Sequence, residues 1–327
     1  MDAAHGVLID APGTGAARVE GGSQGRRAEV EEKLYLIGRP PLKGFLRFLR
    51  THAATPVREA AVTDAWQAAR DVVRRLAQEE AGVADDPVMS EPGPEYDSLL
   101  ADLLKDPLVR YGFNTVPTEV ALVELDRLVV HQPHIDLTFA RQLAAQLGPA
   151  PGRGEVFRTC LPFDHPQPPV QWSRAGEGRF VFLSPSNDLR FLGPMSLEPR
   201  HITGCAPPGA LVGVVGLAVG FGSNFLSAVD AERRLILNNG SHRAYALRSL
   251  GITHVPCIVQ HVASRDELDV VVAPRVQSDP ELYLSDPRPP MLKDYFDARL
   301  RLVVPVQPRV RQVTVRFEVE EDFVPAL

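Results

Sequence analysis

The residues from 239 to 243, with the sequence Asn-Gly-Ser-His-Arg, combine a tight turn with side chains that can bind an anion. They follow a short apolar segment and precede a helical pattern that ends at Gly251. A turn from a strand into a helix presents unpaired backbone N–H groups and the positive end of the helix dipole. The segment therefore predicts a phosphate site, and the alternative is an ordinary N-capped helix with a surface arginine. The candidate binding residues are Asn239, Gly240, Ser241, His242 and Arg243.

Four ionisable residues upstream are candidates for general acid–base chemistry. His134 and Asp136 lie in a proline-containing loop, and Glu119 and Glu124 flank a strand-like segment. A general base needs a pKa near the working pH and a proton within reach. A histidine in such a loop is more often structural than catalytic, so a catalytic, metal-binding or structural role stays open for these residues.

Two pairs of residues have the types found in a Cys2His2 zinc site. Cys160 and His165 form one pair, and His201 and Cys205 form the other. The spacings, Cys160-x4-His165 and His201-x3-Cys205, do not match a specific zinc motif, and the segment around them is rich in proline. A zinc site and four unrelated side chains are therefore both compatible with the pattern.

Composition limits the classes of protein to which the chain can belong. It has 327 residues, 44% of them hydrophobic, which is enough for a sizeable core. A net charge of −6 argues against an extended nucleic-acid-binding surface. Three scattered cysteines do not form a disulfide framework. The most apolar run, residues 210–219, is too short to span a bilayer, and the first 32 residues lack the apolar core of a signal peptide. We expect a soluble, cytoplasmic protein that does not act at a membrane.

The patterning changes several times along the chain. Residues 1–32 are small and polar and predict a disordered tail. Residues 33–112 predict a helical module, and residues 113–270 predict an α+β domain. A proline-rich insertion covers about 150–222, and residues 271–327 form a C-terminal extension with a strand.

Helical periodicity and turn residues place the main elements. In the first hundred residues, helices are predicted over about 42–51, 57–78 and 96–104. A further helix is predicted to end at Leu147, with Asp136 or Thr138 as its cap. A hairpin is predicted directly before the Asn-Gly-Ser-His-Arg turn.

The order of elements from about 119 to 263 resembles a ParB/sulfiredoxin-type domain. Residues 121–129 resemble its opening strand and L-x-x-L turn, and residues 131–147 resemble the loop and helix that follow. Residues 240–243 resemble its G-x-H-R or G-E-R-R phosphate-binding box. Residues 251–259 resemble its closing G-x-x-x-V-P-x-x-V strand. The resemblance implies a small mixed sheet that binds the phosphates of CTP or ATP, with Mg²⁺ balancing their charge.

Differences from the family pattern narrow the chemistry. Ser241 stands where the family has the glutamate of G-E-R-R or the cysteine of sulfiredoxin, which argues against reactions that depend on those groups. No helix-turn-helix pattern follows residue 263, which argues against a DNA-reading partition protein. The first hypothesis is a nucleotide-binding protein, with phosphoryl transfer or hydrolysis left open. The alternatives are a non-catalytic scaffold, whose protein partner would bind the N-terminal helices or the proline-rich insertion, and a metal-dependent nuclease.

Overall fold

The computed structural model describes residues 30–39, 41–165, 167–198 and 209–325. Its α-helices are α1 Leu42–His52, α2 Glu59–Glu79, α3 Asp97–Leu103, α4 Pro107–Gly112, α5 Leu137–Leu147, α6 Arg153–Cys160, α7 Ser241–Ser249, α8 Arg265–Val271, α9 Pro274–Ser278 and α10 Pro280–Leu284. Its strands are β1 Glu31–Leu36, β2 Met89–Ser90, β3 Thr118–Glu124, β4 Val129–Val130, β5 His134–Asp136, β6 Gln171–Arg174, β7 Arg179–Ser184, β8 Leu189–Leu197, β9 Val214–Phe221, β10 Ser227–Ala231, β11 Arg234–Asn239, β12 His254–His261, β13 Arg301–Val306 and β14 Arg311–Arg316. Within these ranges, 3₁₀ helices cover Pro94–Tyr96, Leu125–Arg127 and Leu292–Phe296.

A six-stranded mixed sheet carries the central part of the chain, in the order β2-β3-β12-β10-β11-β4. Strands β10 and β11 form an antiparallel hairpin. Strand β12 pairs parallel with β10, and β11 pairs parallel with β4. Because β11 and β4 run in the same direction, the loops that follow them leave from the same edge of the sheet.

Helices cover both faces of this sheet, which explains why β11 reads as a continuous apolar run. Leu235 and Leu237 pack into a cluster with residues of α5, α6 and α7. Ile236, which points the other way, packs with Leu268 of α8 and Val276 of α9. The strand is therefore buried on both sides, and α7 is fixed on the face opposite α8 and α9.

A second, three-stranded sheet joins distant parts of the chain in the order β13-β1-β5. Its β1 lies near the N-terminus, while β13 lies in the C-terminal extension. Tyr35 and Ile37 pack with Phe45 of α1 and Trp66 of α2. The register of β1 against β5 places Lys33 opposite Asp136 and Tyr35 opposite His134. This pairing places residues of the first forty beside His134 and Asp136, which form a strand and not the loop predicted from the sequence.

Two small sheets lie in the region predicted as an insertion and at the C-terminus. One has the order β14-β7-β6, and the other pairs β8 with β9. Most of their large apolar side chains are partly or fully exposed. They contrast with the central sheet, whose hydrophobic strands are buried.

The mixed α+β class predicted from the sequence is confirmed, as are the helices that became α1, α2, α3, α5 and α7. The sequence did not predict β1 and β2 among the helices of the first hundred residues, nor α6 in the proline-rich segment. In the described part of the chain, no helix is both long and apolar enough to cross a membrane.

Candidate functional site

The start of α7 depends on the backbone conformation of Gly240. Its φ of +97° lies in the left-handed region, which favours glycine. A Cβ at this position would lie 3.2 Å from the Leu226 Cα, so a larger residue is also opposed sterically. The carbonyl of Gly240 accepts from the N–H of Ala244 at 2.9 Å, the first bond of the helix. Gly240 has no side chain with which to cap the first-turn N–H groups, and these remain donors for another acceptor.

The loops at the carboxyl ends of β4 and β11 lie beside this helix start. His131 follows β4, and its Nε2 lies 3.4 Å from the carbonyl oxygen of Asn238 at the end of β11. Burial lowers the pKa of His131 below its usual value. Ligands of α/β proteins commonly bind at the carboxyl ends of parallel strands, where such loops meet. The sheet therefore presents the start of α7 at an edge suited to binding.

The two asparagines before Gly240 shape the turn rather than project from it. The Nδ2 of Asn239 donates to the carbonyls of Ser223 at 2.8 Å and Phe225 at 3.0 Å. The Nδ2 of Asn238 donates to the carbonyl of Val271, and its Oδ1 accepts from the N–H of Ala273. Both side-chain amides thus fix neighbouring loops to the end of β11.

Arg243 points into the protein. Its side chain is buried, and its Nη1 donates to the carbonyls of Cys160 at 3.1 Å, Thr159 at 3.2 Å and Asn224 at 2.5 Å. Two of these carbonyls belong to the last residues of α6, which have no further turn of helix to bond them. Arg243 therefore caps α6 and ties it to the loop before β10, a structural task that the sequence pattern did not indicate.

His242 points towards α5 and meets the upstream candidates. Its ring centroid lies 6.4 Å from that of His134 and 6.0 Å from that of Phe139 in the first turn of α5. The carboxylate of Asp136 and the ammonium of Lys33 are close enough to change the pKa of His242. We call Lys33, His134, Asp136 and His242 the histidine cluster.

Both imidazoles of the histidine cluster are neutral at pH 7. Burial lowers the pKa of His242 to about 4, with Lys33 and Arg243 adding to the effect and Asp136 opposing it. Burial also lowers the pKa of His134 to about 3, and the neighbouring His242 and Lys33 reinforce it. The Nδ1 of His134 is buried without a hydrogen-bond partner, although the ring stacks on Tyr35 at 5.0 Å. An unpaired polar atom at such a position is suited to a ligand.

A cleft of about 210 Å³ lies beside residues 130–133, which directly precede His134. Arg39, His131 and Arg275 contribute charged or polar groups to its walls, and Tyr283 contributes its ring. The charge of Arg275 is felt by both His131 and His134, and it lowers the pKa of each. We call this feature the arginine cleft. It extends the basic surroundings of the histidine cluster towards α9.

The two glutamate candidates lie elsewhere. Glu119 is on β3, which β12 and β10 separate from β11, and its Oε1 lies 3.0 Å from Nε2 of His261. Glu124 is on the same strand, opposite His254 in register. The structure therefore does not bring either glutamate to the start of α7. His134 and Asp136 are the two acid–base candidates that it brings to His242.

The predicted zinc ligands are only partly within the described residues. Cys160 is fully buried, and burial raises the pKa of its thiol to about 12. The Nε2 of His165 lies 2.7 Å from Oδ2 of Asp106. His201 and Cys205 lie outside the described residues. Within the ranges that the structure describes, no group of three or more His, Cys, Asp or Glu side chains could hold a metal ion.

Lys33 and Arg275 are candidate site residues that the sequence patterning missed. Lys33 is 9% exposed although it is charged, since it lies in β1 directly before the buried residues Leu34, Tyr35 and Leu36. A lysine next to this apolar run was the available signal. Arg275 directly follows a proline at the start of α9, and no local pattern distinguishes it from a solvent-exposed arginine.

Comparisons with known proteins supply no relative: no family model, no curated protein and no solved structure matches the chain. The candidate function therefore depends on the geometry of the site and on the motif resemblance.

Proposed function

We propose that the protein binds a nucleoside triphosphate, CTP or ATP, with its phosphates at the start of α7, on a ParB/sulfiredoxin-like domain. The observation that carries the proposal is the uncapped first turn of α7 beside a histidine cluster that holds a buried lysine. Backbone N–H groups at a helix start bind phosphate well because they converge and share the positive end of the dipole.

The surrounding charges favour an anion. Lys33 is largely buried, and its pairing with Glu31 at 3.5 Å is looser than a hydrogen bond. Buried charges are stabilised by partners, and a phosphate would provide one for Lys33. The neutral rings of His134 and His242 can each donate an N–H to a phosphate oxygen. In this proposal Arg243 keeps α7 in place and does not contact the ligand.

Magnesium enters the proposal with the nucleotide. Mg²⁺ prefers oxygen ligands and keeps several waters when it is bound through phosphates. The described residues contain no ready cage for a metal ion, and Asp136 is the carboxylate within the histidine cluster. The residues present thus fit an ion held mainly by the phosphates, with Asp136 as a ligand or second-sphere partner.

Binding, rather than general-base catalysis, is the function that the geometry supports best. A pKa of about 3 makes His134 a weak base at neutral pH, since efficient general bases have a pKa near the working pH. Phosphoryl transfer or hydrolysis would need the bound ligand to raise that pKa.

Calorimetric titration with CTP, ATP and tripolyphosphate, with and without Mg²⁺, tests the proposal. Lys33→Met and His242→Ala should each weaken binding about tenfold, equivalent to about 1.4 kcal/mol. Matched controls are Lys105→Met, an exposed lysine paired with Asp102, and His254→Ala, an exposed histidine on β12. The controls should bind as the wild type does.

Two results would overturn the proposal. One is the absence of heat and of any thermal shift with every triphosphate at millimolar concentration. The other is nucleotide binding that Lys33→Met and His242→Ala leave unchanged, which would place the phosphates elsewhere.

A further inference from the structure

The sheet β14-β7-β6 has two different faces. On one face, Trp172 of β6, Phe180 and Phe182 of β7, and Val315 of β14 line a groove of about 360 Å³ together with Phe317 and two residues of β9. Trp172 is 65% exposed and Phe317 is 49% exposed. The rings are already in contact, with Trp172 stacked on Phe182 at 6.3 Å and Phe180 on Phe317 at 6.3 Å. We call this the aromatic groove.

The opposite face of the same sheet ends in two arginines. Arg179 of β7 and Arg316 of β14 lie directly opposite each other in register. Like charges in that position repel each other. The Nε of Arg179 is buried without a hydrogen-bond partner, and neither arginine pairs with a carboxylate in the described ranges. This pair is a place where an anionic group would be stabilised.

The segment that follows β14 has a pattern of acidic and apolar side chains that is complementary to the two faces of this sheet. Residues 318–324 read Glu-Val-Glu-Glu-Asp-Phe-Val. In an extended strand, alternate side chains point to opposite faces, so Glu318, Glu320 and Asp322 share one face and Val319, Glu321 and Phe323 share the other. Val319 is 71% exposed, and Phe323 is fully exposed. We call residues 318–324 the tail.

The sheet also offers backbone groups for pairing. Strands β14 and β6 are its outer strands, and among the residues that the structure describes no strand pairs with the outer edge of either. An exposed strand edge is a template for another strand. A strand added there with the alternation of the tail would place Val319 and Phe323 on the aromatic side, with Glu321 between them, and its other three carboxylates on the arginine side.

We propose that the tail of one molecule adds as a strand to the β14-β7-β6 sheet of a second copy of this chain, with the reciprocal exchange closing a dimer. Glu318, Glu320 and Asp322 then lie on the face of Arg179 and Arg316 of the other copy, and Phe323 covers the aromatic groove. Reciprocal exchange satisfies both sheets at once and gives a closed two-fold assembly.

A second copy fits better than the molecule's own tail. The tail leaves the sheet where the N–H of Phe317 donates to the carbonyl of Gly178 at 2.9 Å. To cover its own sheet it would have to reverse direction, yet residues 318–324 contain no glycine or proline to make a turn. Four acidic residues among five also repel one another and keep the segment extended.

Exchanging the charges tests the inference in the full-length protein. Variant A carries Arg179→Glu and Arg316→Glu, and variant B carries Glu318→Lys, Glu320→Lys and Asp322→Lys. In homodimers of either variant, sheet and tail have the same sign of charge. In the A–B pair, each sheet faces a tail of opposite charge. We expect a dimer for the wild type, monomers for A and B alone, and a dimer for the equimolar mixture, by sedimentation velocity at low ionic strength.

Phe323→Ser gives an independent measurement, because it leaves every charge in place and changes an exposed side chain. It should weaken dimerisation at least tenfold without changing the thermal midpoint at concentrations where the wild type is monomeric. A wild-type monomer at 100 µM, a mixture of A and B that remains monomeric, or a dimer that persists in A and B alone would each overturn the inference.

Discussion

Helices α5 and α7 begin side by side, and their first turns are completed in opposite ways. In α5, the carboxylate of Asp136 accepts from the N–H of Phe139 at 3.0 Å. In α7, Gly240 has no side chain that could accept from the first-turn N–H groups. The rings of Phe139 and His242, one from each first turn, lie 6.0 Å apart. Two helix starts in one environment therefore differ in whether the protein itself supplies the negative charge.

In our proposal, this difference separates a helix start that the protein itself completes from one that binds an anion. An acidic cap satisfies the donors of α5 and offsets its dipole, so a second anion gains little there. The start of α7 keeps its donors, and the basic groups nearby, Lys33 and Arg275, add to their attraction for an anion. The residues around α7 then divide into those that hold the helix and those that would face the proposed ligand, a division that substitutions can test.

The largest effect is expected for Arg243→Ala. Removing the guanidinium leaves three carbonyls at the end of α6 and before β10 with fewer donors, which should cost about 3 kcal/mol of unfolding free energy. Chemical denaturation measures this loss. Arg248→Ala, on the same helix, is the matched control. Its half-buried pair with Asp126 at 2.7 Å should be worth about 1 kcal/mol.

Nucleotide binding distinguishes this structural role from a direct one. At a temperature where Arg243→Ala is folded, its affinity for triphosphate should stay within about threefold of the wild type, a change of less than 1 kcal/mol. A stable variant that has lost binding would show instead that Arg243 contacts the phosphates.

Sequence patterning predicts both helix starts because local signals specify them. Asp136 precedes one helical pattern. Gly240 lies between an apolar strand and a second helical pattern. The same patterning does not predict Lys33 in the site, since its position there depends on β1 pairing with β5 about a hundred residues away. Such registers are set by tertiary packing rather than by neighbouring residues.

The direction of Arg243 was also beyond local patterning. Its acceptors belong to α6 and to the loop before β10, and α6 lies in a segment whose prolines suggested irregular backbone. A helix-start motif specifies where the backbone donors are, but the fold decides which side chains remain available. Gly240 and His242 lie where the proposed site would be, whereas the side chains of Arg243 and Asn239 bond to neighbouring backbone.

Acid should destabilise the protein through the two histidines between the helix starts. Their pKa values in the folded state, about 4 for His242 and about 3 for His134, lie below the value of about 6.5 expected when unfolded. The unfolded chain therefore binds protons first, so this stability is present above pH 6.5 and is lost as pH falls towards 4. For His242 alone the loss at pH 4.5 is about 2 kcal/mol.

Urea unfolding at pH 7.5 and pH 4.5 measures this dependence. His242→Gln keeps a polar side chain that does not titrate, and it should lose about 2 kcal/mol less than the wild type between the two pH values. His254→Gln, at an exposed histidine, should leave the dependence unchanged. Equal acid losses in the wild type and His242→Gln would mean that His242 is not held neutral beside α5.

The smallest effect concerns the cap itself, and Asp136→Asn isolates its charge. An asparagine side chain still accepts from the N–H of Phe139, so α5 should keep its stability within about 0.5 kcal/mol. Without the carboxylate, the anion at the start of α7 loses a repulsive neighbour, and triphosphate affinity without Mg²⁺ should rise about two- to fivefold.

Two alanine variants serve as controls. Asp136→Ala removes the cap as well as the charge and should lower the free energy of unfolding by about 1 kcal/mol. Ser264→Ala, at the capped start of α8, should lower it by the same amount and should leave triphosphate binding unchanged. Weaker binding by Asp136→Asn only when Mg²⁺ is present would instead make Asp136 a partner of the metal ion, and the comparison between the helix starts would then rest on Gly240 alone.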